Sequence, residues 1–265
     1  MKKLLKTTHK TSKIISNLFY ILLNVALAAM VIVTVDLFAS PWVGLALVVI
    51  SKWRVLAVKM RFWWANIVSN STDLLVGISY VAIVYYFGET YLIYQIGTAV
   101  LYLIWLLLIK PGSSPRAIMT QGLIVTFVSN VVLSLYGYNL DVIFFLLIEM
   151  FIGYNVMQHY LTNCDFEIKY IKLMSGIWAL VMMELAWICW HWMISYNLLT
   201  IIRISQFAVI STVLTFLSYK ALNFINDSTI INRRGLFIDL LASGVFTVLL
   251  VLVILLFFSK PITNL

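Results

Sequence analysis

"SKWRVLAVKMRFWW", residues 51–64, decides how the chain is threaded. Lys52, Arg54, Lys59 and Arg61 stand among valines, a leucine, a phenylalanine and three tryptophans, directly after the apolar run 43–50. If the stretch ends a membrane crossing, later segments keep one orientation; if it is re-entrant, the second half of the chain inverts. At about 100° per residue, Lys52 and Lys59 share one side of a helix while Arg54 and Arg61 share the other, unlike an in-plane amphipathic helix. The cations are therefore expected to snorkel. Their stems lie along apolar surface, their charged ends meet anionic headgroups at the inner leaflet, and Trp53, Trp63 and Trp64 sit at headgroup depth.

The surrounding composition is that of a membrane protein. Over 265 residues, 63% are hydrophobic and 11% charged, against roughly one-half and one-quarter in soluble domains. The fold expected is all-α: one polytopic bundle over residues 1–265, with a basic cytoplasmic segment at 1–13. A bilayer core about 30 Å thick takes roughly 20 apolar helical residues. On that rule the spans are 14–36, 41–58, 72–88, 90–109, 116–136, 140–160, 169–193, 197–219 and 235–259, nine in all. The first resembles a signal peptide, with Lys2, Lys3, Lys6, Lys10 and Lys13 before "ALA" at 26–28, but its apolar run continues to Val35 and reads as a retained span.

Orientation follows the cations in short loops. With the N-terminus inside, the cytoplasmic face collects the five N-terminal lysines, the 52–61 quartet, Lys110, Arg116, Lys169, Lys172, Lys220, Arg233 and Arg234. That is sixteen of eighteen; Lys260 falls outside and Arg203 within a span. The C-terminus is then external. Pro41, Pro111, Pro115 and Pro261 lie at span edges or in loops, so the helices are expected to be continuous. No internal repeat is evident, and the longest cytoplasmic loops, 161–168 and 220–234, are too small to fold alone. Chemistry must therefore lie in or at the membrane.

Within the spans, Glu149, Glu184 and Arg203 stand out. Counted from the external ends at ~1.5 Å per residue, both glutamates lie about 13 Å deep and Arg203 about 9 Å deep. His191 follows Glu184 by two turns, Gln206 lies a turn below Arg203, and Asn130 of the fifth span falls at a similar depth. Charges at such depth are paired or face a polar cavity. The expected arrangement is an Arg203–Glu184 pair on antiparallel helices, leaving Glu149 as the proton- or ligand-responsive carboxylate. The plainer alternative is a static Glu–Arg clamp between helices. Asp73 and Asp239 suit helix N-termini, where the dipole favours a carboxylate. Trp190 and Trp192 fit an outer aromatic belt; the deeper Trp187 could line a pocket or a helix interface.

Several classes are excluded. Cys164 and Cys189 form no metal-ligand spacing, His159 and His191 lie at opposite ends of their helices, and no metal or cofactor is indicated. Walker A, HExxH, GxSxG and paired-aspartate motifs are absent, and no mid-span lysine in the last two helices could form a retinal Schiff base. The net charge of +8 reflects the cytoplasmic face and requires no nucleic acid.

The blocks "SKWR" (51–54), "WWANI" (63–67), "KPGSSP" (110–115) and "MELAWICWHW" (183–192) together resemble a multi-pass membrane protein family of small-genome candidate-phyla bacteria, Saccharibacteria in particular. The resemblance implies a bacterial plasma-membrane protein and transfers no activity or site residue. The leading functional expectation is binding or translocation of a small or lipidic substrate in an outward-opening polar pocket of helices five to eight. The alternatives are an intramembrane enzyme on lipid-linked material, with Glu149 or Glu184 as base and Arg203 holding an anionic group, and a structural or assembly subunit. Membrane lipids, anionic ones at the cytoplasmic face, are the expected partners.

Overall fold

The computed structural model describes residues 2–53, 57–88, 91–137, 139–164, 170–191, 195–198, 202–226, 238 and 241–245. Among them, six helices are long and apolar enough to cross a membrane: Ile15–Phe38, Leu92–Ile109, Pro115–Gly137, Val142–Asn163, Ile171–His191 and Gln206–Ile225. Two shorter apolar helices, Pro41–Ser51 and Ser71–Phe87, accompany them. Most of the expected 235–259 span lies outside the described residues. The chain is a helical, multi-pass membrane protein divided into two compact units, 1–112 and 113–265.

The N-terminal unit contains α1 (Lys2–Phe38), α2 (Pro41–Ser51), a 3-10 turn at Met60–Phe62, α3 (Trp63–Ser69), α4 (Ser71–Phe87) and α5 (Leu92–Ile104), which runs into a π turn, Trp105–Ile109. Between α1 and α2 the chain reverses within two residues. Ala39 adopts φ 45°, a left-handed conformation that glycine takes more readily, and Ser40 is extended before Pro41 opens α2. Val31 and Val35 of α1, Val48 of α2, Val76, Val81 and Val84 of α4 and Leu106 of the π turn fill the core. Helices α2 and α4 meet closely at Gly77, where a Cβ would come within 2.6 Å of Val48 Cγ1. Tyr80 of α4 stacks on Tyr102 of α5 at 4.4 Å and donates to the Ala28 carbonyl of α1 at 2.8 Å.

Polar contacts mark both ends of this unit. At one, Gln95 Nε2 donates to Asp36 Oδ1 (2.8 Å) and to the Val84 carbonyl (3.3 Å), joining the ends of α1 and α4 to the start of α5. At the other, Lys52 after α2 and Lys110 after the π turn meet Asp73 in the first turn of α4. Helix α2 thus leads from the first end to the second in eleven residues, about 16 Å, and the Lys52 side chain supplies the remaining reach. The expected 41–58 span is corrected only in its bounds, where the structure describes them: helix α2 covers Pro41–Ser51 and residue 52 is a turn, its Lys52 side chain on Asp73.

The C-terminal unit contains α6 (Pro115–Gly137), α7 (Val142–Asn163), α8 (Ile171–His191), the strands β1 (Ser195–Leu198) and β2 (Ile202–Ser205), and α9 (Gln206–Asn226). Ser114 caps α6 by accepting the Ala117 N–H at 3.2 Å, with Pro115 as the first helical residue. Helix α8 turns a seam of Ser175, Ala179, Met182 and Ala186 inward, and Ala179 and Met182 lie against Gly153 of α7. Small residues let these backbones approach, as membrane helices require when burial from water drives nothing.

The span expected at 197–219 is also corrected. Residues 195–198 and 202–205 pair as an antiparallel hairpin with Asn197 opposite Arg203, and helix begins only at Gln206. The β-branched Ile202 and Ile204 favour extended backbone. Ser205 then starts the helix, its Oγ accepting the Ala208 N–H at 3.1 Å. The fold is all-helical, as expected, with this one short hairpin among the described residues.

Candidate functional site

Two buried carboxylates, one in each unit, stand in opposite circumstances. Asp73 is the only acid between residues 37 and 88, and three donors converge on it. Lys52 and Lys110 both bond its Oδ2, the latter at 2.6 Å, and Trp105 Nε1 donates to Oδ1 at 3.2 Å. The π turn makes this possible. Lys110 N–H bonds the Trp105 carbonyl five residues back at 2.8 Å. A turn closed at that spacing brings residues 105 and 110 to one face, where α-helical geometry would set them about 140° apart. The Leu106 carbonyl, freed of its usual partner, accepts the Tyr20 hydroxyl at 3.1 Å.

Helix dipoles complete the balance. Asp73 lies at a positive N-terminus, and each lysine lies at a negative C-terminus, so the second cation is offset by the helix ends themselves. Burial works to lower Lys110, but the Asp73 charge and hydrogen bond outweigh it and hold the amine above the ordinary lysine value. The cluster fastens three helix ends and leaves little net charge for a ligand. Of the quartet expected at the headgroups, Lys52 is committed to Asp73, Arg54 lies outside the described residues, and Lys59 and Arg61 are exposed, Arg61 over the Phe62 ring.

Glu149 has no such compensation. The inward stripe of α7 runs Phe145, Glu149, Ile152, Val156, Tyr160, at helical spacing, and Glu149 is 0% exposed. Its one hydrogen bond among the described residues is long: Asn130 Nδ2 of α6 donates to Oε1 at 3.4 Å. The same amide donates to Ser211 Oγ of α9 at 2.7 Å. One turn toward the hairpin, Ser134 of α6 and Ser205 before α9 touch at 2.6 Å. Among the described residues no lysine, arginine or histidine forms an ion pair with Glu149, and its Oε2 and Asn130 Oδ1 have no hydrogen-bond partner.

The other predicted members do not join this layer. Glu184 falls two residues from both Met182 and Ala186 of the inward seam, which puts it about 160° away, and it is exposed. Arg203 is exposed on β2, so its expected depth, counted along a helix that does not begin until Gln206, is corrected. No Glu184–Arg203 ion pair exists among the described residues. His191 is exposed at the end of α8, its Nδ1 2.9 Å from the Trp187 carbonyl, and Trp187 itself faces outward. Gln206 is half-buried in the first turn of α9, and Asp239 lies outside the described residues.

Ser211, Ser134 and Ser205 were not singled out in the sequence, although Ser205 and Ser211 lie within ten residues of Arg203. At the other end of the unit, His159 Nε2 donates to Gln121 Oε1 at 3.0 Å, and its Nδ1 is 3.3 Å from Asn163 Nδ2. No group of three or more His, Cys, Asp or Glu able to hold a metal is found among the described residues. Compared with protein-family models, curated proteins and solved structures, the chain matches none of them.

Proposed function

We propose that this is a bacterial plasma-membrane protein that binds, and through that binding moves, a small or lipidic substrate at the polar layer of its C-terminal unit. The observation that carries the reading is Glu149: fully buried, without an ion pair among the described residues and only weakly hydrogen-bonded. An ionisable group in that position is costly unless something that enters the site engages it. The enzyme alternative, with Glu149 or Glu184 as base, calls on Arg203 to hold an anionic group, and Arg203 is exposed on the hairpin. The scaffold reading fits the Asp73 cluster of the other unit but gives no account of Glu149.

In this reading the chain crosses nine times, N-terminus inside and C-terminus outside, and the hairpin end of the C-terminal unit is external. Lys59 and Arg61, with Arg54, lie at the anionic inner leaflet, each contributing about 1 kcal/mol.

The test combines mass spectrometry of the protein extracted in native lipid discs with cysteine labelling of intact cells. A ligand or a distinct lipid should be retained by the wild type and lost at least tenfold in Glu149→Gln. Cysteines at Tyr138 and Thr263 should label from outside, and those at Ser113 and Ser228 should not. Identical retained molecules in both proteins would remove the ligand reading; external labelling at Ser228 would invert the second half.

A further inference from the structure

The hydroxyl protons of Ser211, Ser134 and Ser205 go to acceptors other than Glu149. Ser211 Oγ donates to the Ala208 carbonyl at 3.1 Å, and Ser134 Oγ donates to the Asn130 carbonyl at 2.6 Å. Because Ser134 has given its one proton there, the proton in the Ser134–Ser205 contact is that of Ser205. The remaining donor, the Asn130 amide nitrogen, serves Ser211 and reaches Glu149 only weakly. What is left is a carboxylate oxygen, Glu149 Oε2, and an amide oxygen, Asn130 Oδ1, both buried and both without a donor among the described residues. Among the described residues the layer has a surplus of acceptors and one carboxyl group without a counter-charge.

We propose that Glu149 and Asn130 form a site for a monovalent cation, with the proton as its principal occupant. This rests on the reading of the layer as a ligand site and names the ion that acts there. One carboxylate among neutral oxygens calls for a single positive charge; divalent cations gather several carboxylates or many oxygens. A proton meets this need with no further ligand. Taken up from water on Glu149 Oε2, it neutralises the acid and makes that oxygen a donor, and released to water it restores the charged acid. Sodium carries the same charge but needs more oxygen ligands, usually from unwound backbone, and α7 is continuous helix past Glu149. The Ser134–Ser205 pair extends the polar layer toward the hairpin, about 10 Å from Glu149 along α7, on the side with the shorter way to solvent.

Among the described residues the groups around Glu149 are few. Asn130 faces it from α6, Ser211 lies beyond that amide on α9, and the Cys189 thiol of α8 is its titratable neighbour. Glu184 faces away, and His159 lies ten residues further along α7, bonded to Gln121.

Infrared spectroscopy of the full-length protein in lipid nanodiscs reads the carboxyl directly. Spectra of wild type, Glu149→Gln and Glu184→Gln are recorded from acidic to alkaline pH, in sodium chloride and in choline chloride. The expected result is a protonated-carboxyl band that titrates in the wild type and in Glu184→Gln, is lost in Glu149→Gln, and is the same in both salts. A band displaced by sodium at constant pH would also support the cation site and make sodium a competing occupant. A band unchanged at every pH and in both salts, or a wild type identical to Glu149→Gln, would overturn the proposal. If ligand retention is still lost in Glu149→Gln, the ligand reading survives that failure; if retention is also unchanged, both readings fall.

Discussion

Asp73→Asn should destabilise the protein by about 3 kcal/mol, read as a shift in the unfolding transition in lipid nanodiscs. Asparagine keeps the shape but removes the charge that holds Lys52, Lys110 and the Trp105 indole together. Removing one partner of a buried ion pair leaves the other charge uncompensated, at about 3–5 kcal/mol. The lower figure applies because the Lys110 side chain is 36% exposed and can turn toward water. Replacing all three charges at once, Lys52→Met, Asp73→Leu and Lys110→Met, should restore most of the loss, since apolar packing can replace an ion cluster of similar volume. A change below about 0.5 kcal/mol for Asp73→Asn, the size of an ordinary surface substitution, would mean that the three helix ends are held by something else.

Gly122→Ala should cost about 1–3 kcal/mol by overpacking. Gly122 of α6 lies against Tyr219 of α9, and an added Cβ would stand 3.1 Å from two carbons of that ring and closer still to its hydroxyl. The ring has no room to retreat. It stacks on Tyr160 at 3.8 Å, and its hydroxyl donates to the Val156 carbonyl at 3.3 Å. Tyr160 is held in turn by Asn223 at 2.9 Å. Because the hydroxyl is the nearest atom, Tyr219→Phe should tolerate the alanine better than tyrosine does. If the two substitutions simply add in a double-mutant cycle, the contact is not the one described.

Much of the helical architecture is legible in the apolar runs. The expected spans 116–136 and 140–160 fall within three residues of α6 and α7 at either end, because both are long, uninterrupted and bounded by turn residues. Three features were not legible for physical reasons. Residues 195–205 are apolar enough to pass as helix, and only their β-branched isoleucines and the capping Ser205 hint at the hairpin; depth counted along a single helix therefore misplaced Arg203. Glu149 and Glu184 lie at similar distances from their span ends, but depth says nothing of azimuth, and the Ser175–Ala179–Ala186 seam was the signal that turned Glu184 outward. The Asp73 cluster depends on a π turn with no sequence signature, yet a lone acid across fifty residues that also carry four cations already asked for partners.

Of the candidate residues, Glu149 and Asn130 are brought together, and the account turns on the contrast between that acid and Asp73. The unfolding transition of Glu149→Gln, in the same nanodiscs used for Asp73→Asn, tests this contrast most directly. Glutamine keeps the side-chain volume, removes a buried acid that has no counter-charge among the described residues and keeps an oxygen for the Asn130 amide, so the variant is predicted to be at least as stable as the wild type. A loss comparable to that of Asp73→Asn would contradict the account, because it would make Glu149 a paired structural acid rather than one that waits for a charge.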